Sequence, residues 1–171
     1  MKRLLIFTLT FLALVALIAG SAMTQDKPKF TYVGDAKCKM CHKDNHASWL
    51  ETKHANAFTL LKPEEQKNPE CVKCHTTGAT AENVALVGVQ CEACHGPGSE
   101  YKKPTIMNKG KFATDKAAAL KACTDAGLVI PTAATCTKCH TKEGNPNYKE
   151  FDFEKSKGKV HPKKAAAPAT K

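Results

Sequence analysis

Cys91-Glu92-Ala93-Cys94-His95 is the third of four copies of one pattern. The others are Cys38-Lys39-Met40-Cys41-His42, Cys71-Val72-Lys73-Cys74-His75 and Cys136-Thr137-Lys138-Cys139-His140. Each reads C-x-x-C-H, the attachment signature of c-type haem. The chemistry asks for that spacing. Two intervening residues set the sulfurs one short turn apart, matching the two vinyl groups they join as thioethers. The next residue, His, then projects over the ring so that an imidazole nitrogen reaches the iron. A lone C-x-x-C could instead be a redox dithiol or half a zinc site. Four pairs out of four carrying the same following His favour four haem c groups over zinc or disulfides.

Working outward, the chain has 171 residues, 42% of them hydrophobic and only 6% aromatic, with Trp49 its one tryptophan. That length fits one domain and excludes a large enzyme with its own nucleotide-binding half. So little bulky apolar mass is a thin supply for a conventional core. Four porphyrins supply the missing interior.

Met1-Lys2-Arg3 is a short basic start, Leu4 to Gly20 is apolar apart from Thr8 and Thr10, and Gly20-Ser21-Ala22 sets small residues where signal peptidase cuts. Residues 1–22 therefore read as a signal peptide that is removed, with an uncleaved anchor as the competing reading. The expected organisation is 23–162 as the haem-bearing domain and 163–171 as a disordered Lys/Ala-rich tail. Export points to a periplasmic location, with extracellular or membrane-associated as alternatives and no membrane span after cleavage. The formal charge of +10 falls to +8 when Lys2 and Arg3 leave. Eight propionates at about −8 and four ferric cores at about +4 leave the holoprotein mildly basic when oxidised and near neutral when reduced. Nucleic-acid binding has no motif behind it. The lysines are better suited to neutralising propionates and steering an acidic redox partner.

Imidazoles are scarce. Of seven His, His42, His75, His95 and His140 are proximal ligands, leaving His46, His54 and His161 for four sixth positions. At least one iron must take Met, another donor, or an open site. Lys43 to Leu61 holds no Gly or Pro and reads as one helix closed off before Pro63. On it His46 lies one turn, roughly 6 Å, from His42 on the same face, so it suits a surface or propionate contact better than a distal ligand. His54, roughly 18 Å along the axis, must serve another iron. His161 is expected to ligate the fourth-motif haem, which has no other partner downstream. Met107 is the only credible thioether ligand, the alternative being a Met packed on a porphyrin edge.

These residues resemble the tetrahaem cytochrome c-554 type family. The resemblance rests on the first motif followed by Ser48-Trp49 and Lys53-His54-Ala55, then on the second motif. It continues through Gly88-Val89-Gln90-Cys91-Glu92-Ala93-Cys94-His95-Gly96-Pro97-Gly98, the fourth motif, and a late His before a Lys-rich end. It implies a mainly α-helical monomer, a small multihaem c-type cytochrome of short helices and long irregular loops around four covalently bound haems. It also implies that His54 ligates the third-motif haem and His161 the fourth, and that the haem of His75 is five-coordinate. A His after the third motif ligates the first haem in that family. Here Gly98 to Lys121 contains none, and Met107 stands in the corresponding region as the replacement partner of His42.

Elsewhere, Thr114 can cap a helix from Asp115 to about Ala126 that Gly127 stops, placing Ala117, Leu120 and Cys123 on one face. Cys123, the ninth cysteine, reads as a small buried hydrophobe, with a reactive thiol as the alternative. Gly96-Pro97-Gly98 reads as a turn, and Val84 to Val89 as a short extended piece. Nothing resembles a substrate pocket with paired acid and base. The expected function is electron transfer between redox proteins, a donor and an acceptor, by hopping along the haems. The alternatives are a small reductase or nitric-oxide-type ligand binder at the open iron of His75, and a unit of an extracellular haem wire.

Overall fold

A computed structural model describes residues 30–78 and 86–161. Residues 1–22, read above as a signal peptide, and residues 163–171, read as a disordered tail, lie outside the described residues. The chain is mainly helical, and its helices are short: α1 (Asp35–Lys39), α2 (Lys43–Leu50), α3 (Pro69–His75), α4 (Cys91–His95), α5 (Lys109–Thr114), α6 (Lys116–Asp125), α7 (Ala133–Cys136) and α8 (Phe153–Ser156). One two-residue ladder pairs β1 (Thr76–Thr77) antiparallel with β2 (Leu86–Val87), in register Thr76↔Val87 and Thr77↔Leu86. Of the extended piece expected over 84–89, only the part from Leu86 lies among the described residues, and its strand is Leu86–Val87.

Local chemistry sets the helix starts. Asn68 caps α3 by accepting from the Glu70 N–H at 2.9 Å, with Pro69 in the first helical position. Asn108 caps α5 through the Lys111 N–H. Asp115, not Thr114, caps α6, accepting from the Ala118 N–H at 2.9 Å. Thr114 ends α5 instead, its hydroxyl donating to the Gly110 and Lys111 carbonyls. The stop at Gly127 is as expected, with φ +99. The buried stripe of α6 runs through Ala119 and Cys123, while Ala117 is exposed.

The helix expected from Lys43 to Leu61 ends at Leu50. The Thr52 hydroxyl donates to the Trp49 carbonyl at 2.7 Å, an attachment that competes with continued helix. The chain then turns, and 3₁₀ geometry covers Ala57–Leu60. The turning backbone is tied to the stretch just before the third motif. Val89 N–H donates to the His54 carbonyl (2.9 Å), and the Trp49 indole N–H to the Val89 carbonyl (2.9 Å). Gly88 (φ +83) permits that approach, since a Cβ there would lie 2.6 Å from the Ala55 carbonyl oxygen.

The apolar core is sparse. Among the described residues the buried hydrophobics are Trp49, Ala57, Tyr101, Ala119, Cys123 and Ala126. Tyr101, Cys123 and Ala126 form one cluster, with Ile106, Met107, Phe112 and Leu128 packed against it. Cys123 has no exposed surface, and burial pushes its thiol up from the ordinary range. It therefore serves as a core hydrophobe. Alkylation of the native holoprotein with iodoacetamide is expected to label no thiol. After denaturation one label per chain is expected, at Cys123, if the other eight cysteines carry haem as the sequence suggests. Mass spectrometry checks both counts.

Candidate haem-binding site

Motifs two and three are helical, while motifs one and four begin at the end of a helix and are each closed by one i,i+4 backbone bond. In motif one the His42 N–H donates to the Cys38 carbonyl (3.0 Å), and in motif four the His140 N–H donates to the Cys136 carbonyl (2.9 Å). Motif two lies within α3, and motif three is α4 itself. The i,i+4 bond puts the first Cys and the His on one face, which is the side-chain placement attachment needs.

Folding gathers the four turns. The Cys38 and Cys91 thiols are close enough to perturb one another, as are those of Cys74 and Cys139. Cys94 feels the charge of Cys136. Motif one thus adjoins motif three, motif three adjoins motif four, and motif four adjoins motif two. The Cys38 thiol is pushed far up, first by Cys91 and then by burial. Cys139 is pushed up to about 12, first by burial and then by Cys74. Among the described residues, no three His, Cys, Asp or Glu side chains gather around a point that could hold a bare metal ion.

Proximal imidazoles are oriented through one nitrogen. His75 Nδ1 lies 2.6 Å from the Ala57 carbonyl and His95 Nδ1 lies 3.3 Å from that of Val129. An Nδ1–H given to a carbonyl leaves Nε2 as the free donor for a metal. Two more imidazoles face proximal ones. The ring centres of His54 and His140 are 6.1 Å apart, and those of His95 and His161 are 6.5 Å apart. Imidazole–metal bonds of about 2 Å on opposite faces of one iron separate ring centres by about 6 Å.

The two pairs differ from the expected assignment. His54 stands beside His140 of the fourth motif rather than His95 of the third, and His161 beside His95 rather than His140. The cause is the chain path after Leu50, which a continuous helix would not have taken. Burial, then the neighbouring His140, hold His54 below the usual imidazole range. Burial likewise lowers His95, against the Val129 carbonyl bond, and His161 and His42 add to the lowering. Both groups are thereby kept in the neutral form that ligates metal.

A cleft of about 800 Å³ lies between motifs one and three. Cys38, Cys41, His42, Cys91, His95, His161 and Met107 all line it. Met107 is half-buried and lines the same cleft as His42, and its backbone N–H donates to the Lys103 carbonyl. His46 is neither solvated nor free: it is buried, its Nε2 lies 2.6 Å from Asp35 Oδ2, and its ring centre is 5.4 Å from that of Trp49.

A family model described as "Cytochrome c554 and c-prime" matches residues 37–96. The chain is 29% identical over 172 aligned residues to cytochrome c-554 of Nitrosomonas europaea, covering 85% of this chain and 72% of that one. It also superposes on the solved reduced state of cytochrome c554 from Nitrosomonas europaea, with a TM-score of 0.53 and 25% identity over 76% of this chain and 78% of that one. The chain is thus similar to the cytochrome c-554 family in sequence and in fold. That similarity supports a c-type cytochrome, an electron carrier with covalently bound haem c and redox partners.

The residues fit such a group. His161 Nδ1 is buried with no hydrogen-bond partner among the described residues, an arrangement that costs free energy unless something else engages it. The facing imidazoles leave room between them for one iron. No helix among the described residues is long and apolar enough to cross a membrane.

One residue of the site was not singled out from the sequence. Glu92, between the cysteines of motif three, is only 1% exposed. Its signal was available, since Lys39, Val72 and Thr137 hold the same place in the other motifs and Glu92 is the one acid among them.

Proposed function

We propose that the protein transfers electrons between a donor and an acceptor by hopping among four covalently bound haems, and that it does so in the periplasm as a monomer after residues 1–22 are removed. Each haem supplies one-electron Fe(III)/Fe(II) chemistry. The observation that carries the reading is the pair of imidazole couples with centres 6.1 and 6.5 Å apart.

The residues divide the work. Cys38 and Cys41, Cys71 and Cys74, Cys91 and Cys94, and Cys136 and Cys139 anchor the haems. His95 with His161, and His140 with His54, cap two irons on both faces. His42 with Met107 caps the first, and Met107 there would raise its potential relative to bis-imidazole neighbours. His75 holds the second from one side. The adjacency of the thiols supports a row in the order motif one, three, four, two, with motifs one and two at its ends.

A second reading is a ligand-binding or small reductase role at the iron of His75. It is favoured by one observation: His95 and His140 each face a further imidazole, whereas His75 faces none among the described residues. Stopped-flow mixing of the reduced protein with nitric oxide should bind one equivalent, and turnover of the ligand would promote this reading.

The primary test is a haem count by mass spectrometry joined to an EPR and optical titration. Four haems are expected, with two low-spin bis-His irons, one His/Met iron and one high-spin iron. Fewer than four haems, or four identical bis-His centres, would overturn the proposal.

A further inference from the structure

Glu92 sits at the junction of motifs one and three, almost wholly withdrawn from water. Both of its carboxylate oxygens are engaged, and only by backbone N–H donors. Val33 N–H reaches Oε1 at 3.1 Å and Oε2 at 3.0 Å, Gly34 N–H reaches Oε2 at 2.7 Å, and Gly98 N–H reaches Oε1 at 2.6 Å. Four donor contacts suit an ionised carboxylate, which is acceptor-only. A carboxylic acid would need an acceptor for its proton, and no contact of Glu92 offers one.

The surrounding chain is shaped around this group. Gly34, with φ +84, precedes α1, and a Cβ on Gly98 would stand 2.9 Å from Glu92 Oε1. Gly98 is therefore more than a flexible link after the third motif: it lets the backbone come close to the carboxylate. Beside it, Gln90 Oε1 accepts from the Asp35 N–H at 2.9 Å and its amide donates to the Val87 carbonyl at 3.0 Å.

We propose that Glu92 is an electrostatic positioning residue whose fixed, buried negative charge lowers the reduction potentials of the haems held at motifs one and three. Reduction adds one electron at the iron, from the redox partner, and a nearby negative charge opposes that addition. Local charge, burial and hydrogen bonding are the means by which a protein sets a haem potential. Glu92 is next to Cys91 in sequence, and its partners Val33 and Gly34 lead directly into α1, the helix that carries Cys38 and packs against α4. One carboxylate thus lies beside both attachments. At an effective dielectric of about 20, one charge about 12 Å from a redox centre changes its equilibrium about tenfold.

The inference rests on haem being attached at motifs one and three, and a pyridine haemochrome count of each sample tests that part separately. The deciding experiment is an EPR-monitored potentiometric titration of Glu92→Gln holoprotein, with signals assigned through His54→Ala and His161→Ala. At a fixed potential the ferrous-to-ferric ratio of the motif-one and motif-three haems should rise about tenfold, about 59 mV for one electron. The motif-two and motif-four haems should stay within about twofold of the wild type. Gln90→Ala loosens the same junction without altering charge, and its potentials should also stay within about twofold. If Glu92→Gln does not assemble holoprotein, Glu92→Thr replaces it, using the residue that motif four already carries at that place. A folded neutral variant with four haems and wild-type potentials overturns the assignment, as does a Gln90→Ala variant that reproduces the shift.

Discussion

Replacing His54 with alanine is expected to turn the motif-four haem from low spin to high spin and to leave the motif-three haem low spin. The two candidate assignments separate cleanly here. If His54 served motif three, the iron of His95 would change instead. Facing ring centres at 6.1 Å join His54 to His140, and His95 has its own partner in His161 at 6.5 Å. His161→Ala should accordingly convert the motif-three haem alone. Losing an axial imidazole opens the iron to water and to small ligands, so each variant should gain one binding equivalent for nitric oxide. EPR of the oxidised proteins reads the spin states, and a motif-selective label such as Cys94→Ser, which leaves a single thioether at motif three, identifies which signal belongs to that haem. A His54→Ala protein that loses the motif-three low-spin signal would return the assignment to the one the family resemblance suggests. Packing should respond little, because His54 is tied into the fold by its carbonyl, which accepts from the Val89 N–H, and a backbone bond survives the substitution.

That distinction marks where the sequence stops being readable. Each C-x-x-C-H copy is a local object: one helical turn fixes Cys, Cys and His, so the four attachment points follow from spacing alone. The shortage of apolar side chains is equally plain in composition, and the structure bears it out in a core of one Trp, one Tyr and small residues. Which distal imidazole meets which motif depends on the path between them. A stretch free of Gly and Pro from Lys43 to Leu61 suggests one helix, but the Thr52 hydroxyl takes the Trp49 carbonyl and Val89 takes that of His54. Neither competitor is visible without the tertiary pairing. At α6 the contest was between adjacent residues, and Asp115 held the cap that Thr114 could also have supplied. His46 was misread for a related reason: its partner, Asp35, lies across the first motif at 2.6 Å, and only folding brings them together. Glu92 could have been noticed as the one acid inside a motif, yet nothing local reveals that its partners are the N–H groups of residues 33, 34 and 98.

Trp49→Ala should be the most damaging single substitution away from the haem-attachment residues. The indole is 5% exposed and packs beside His46, with ring centres 5.4 Å apart. Truncating a buried Trp typically costs about 3–5 kcal/mol through lost transfer free energy and the cavity left behind. The indole N–H also closes the link to the Val89 carbonyl at 2.9 Å, and Val89 is the residue that holds the His54 carbonyl. Trp49→Phe keeps most of the ring and removes that donor, so it should cost about 1 kcal/mol for the hydrogen bond. Guanidinium denaturation followed by far-UV circular dichroism measures both. Because Trp49 and His54 are joined through the same strand of backbone, the alanine variant should also broaden or shift the low-spin signal of the motif-four haem, whereas phenylalanine should leave it in place. A Trp49→Ala protein with wild-type stability and an unchanged motif-four signal would mean that the turn after Leu50 is held by the ligation of His54 itself rather than by the packing around it.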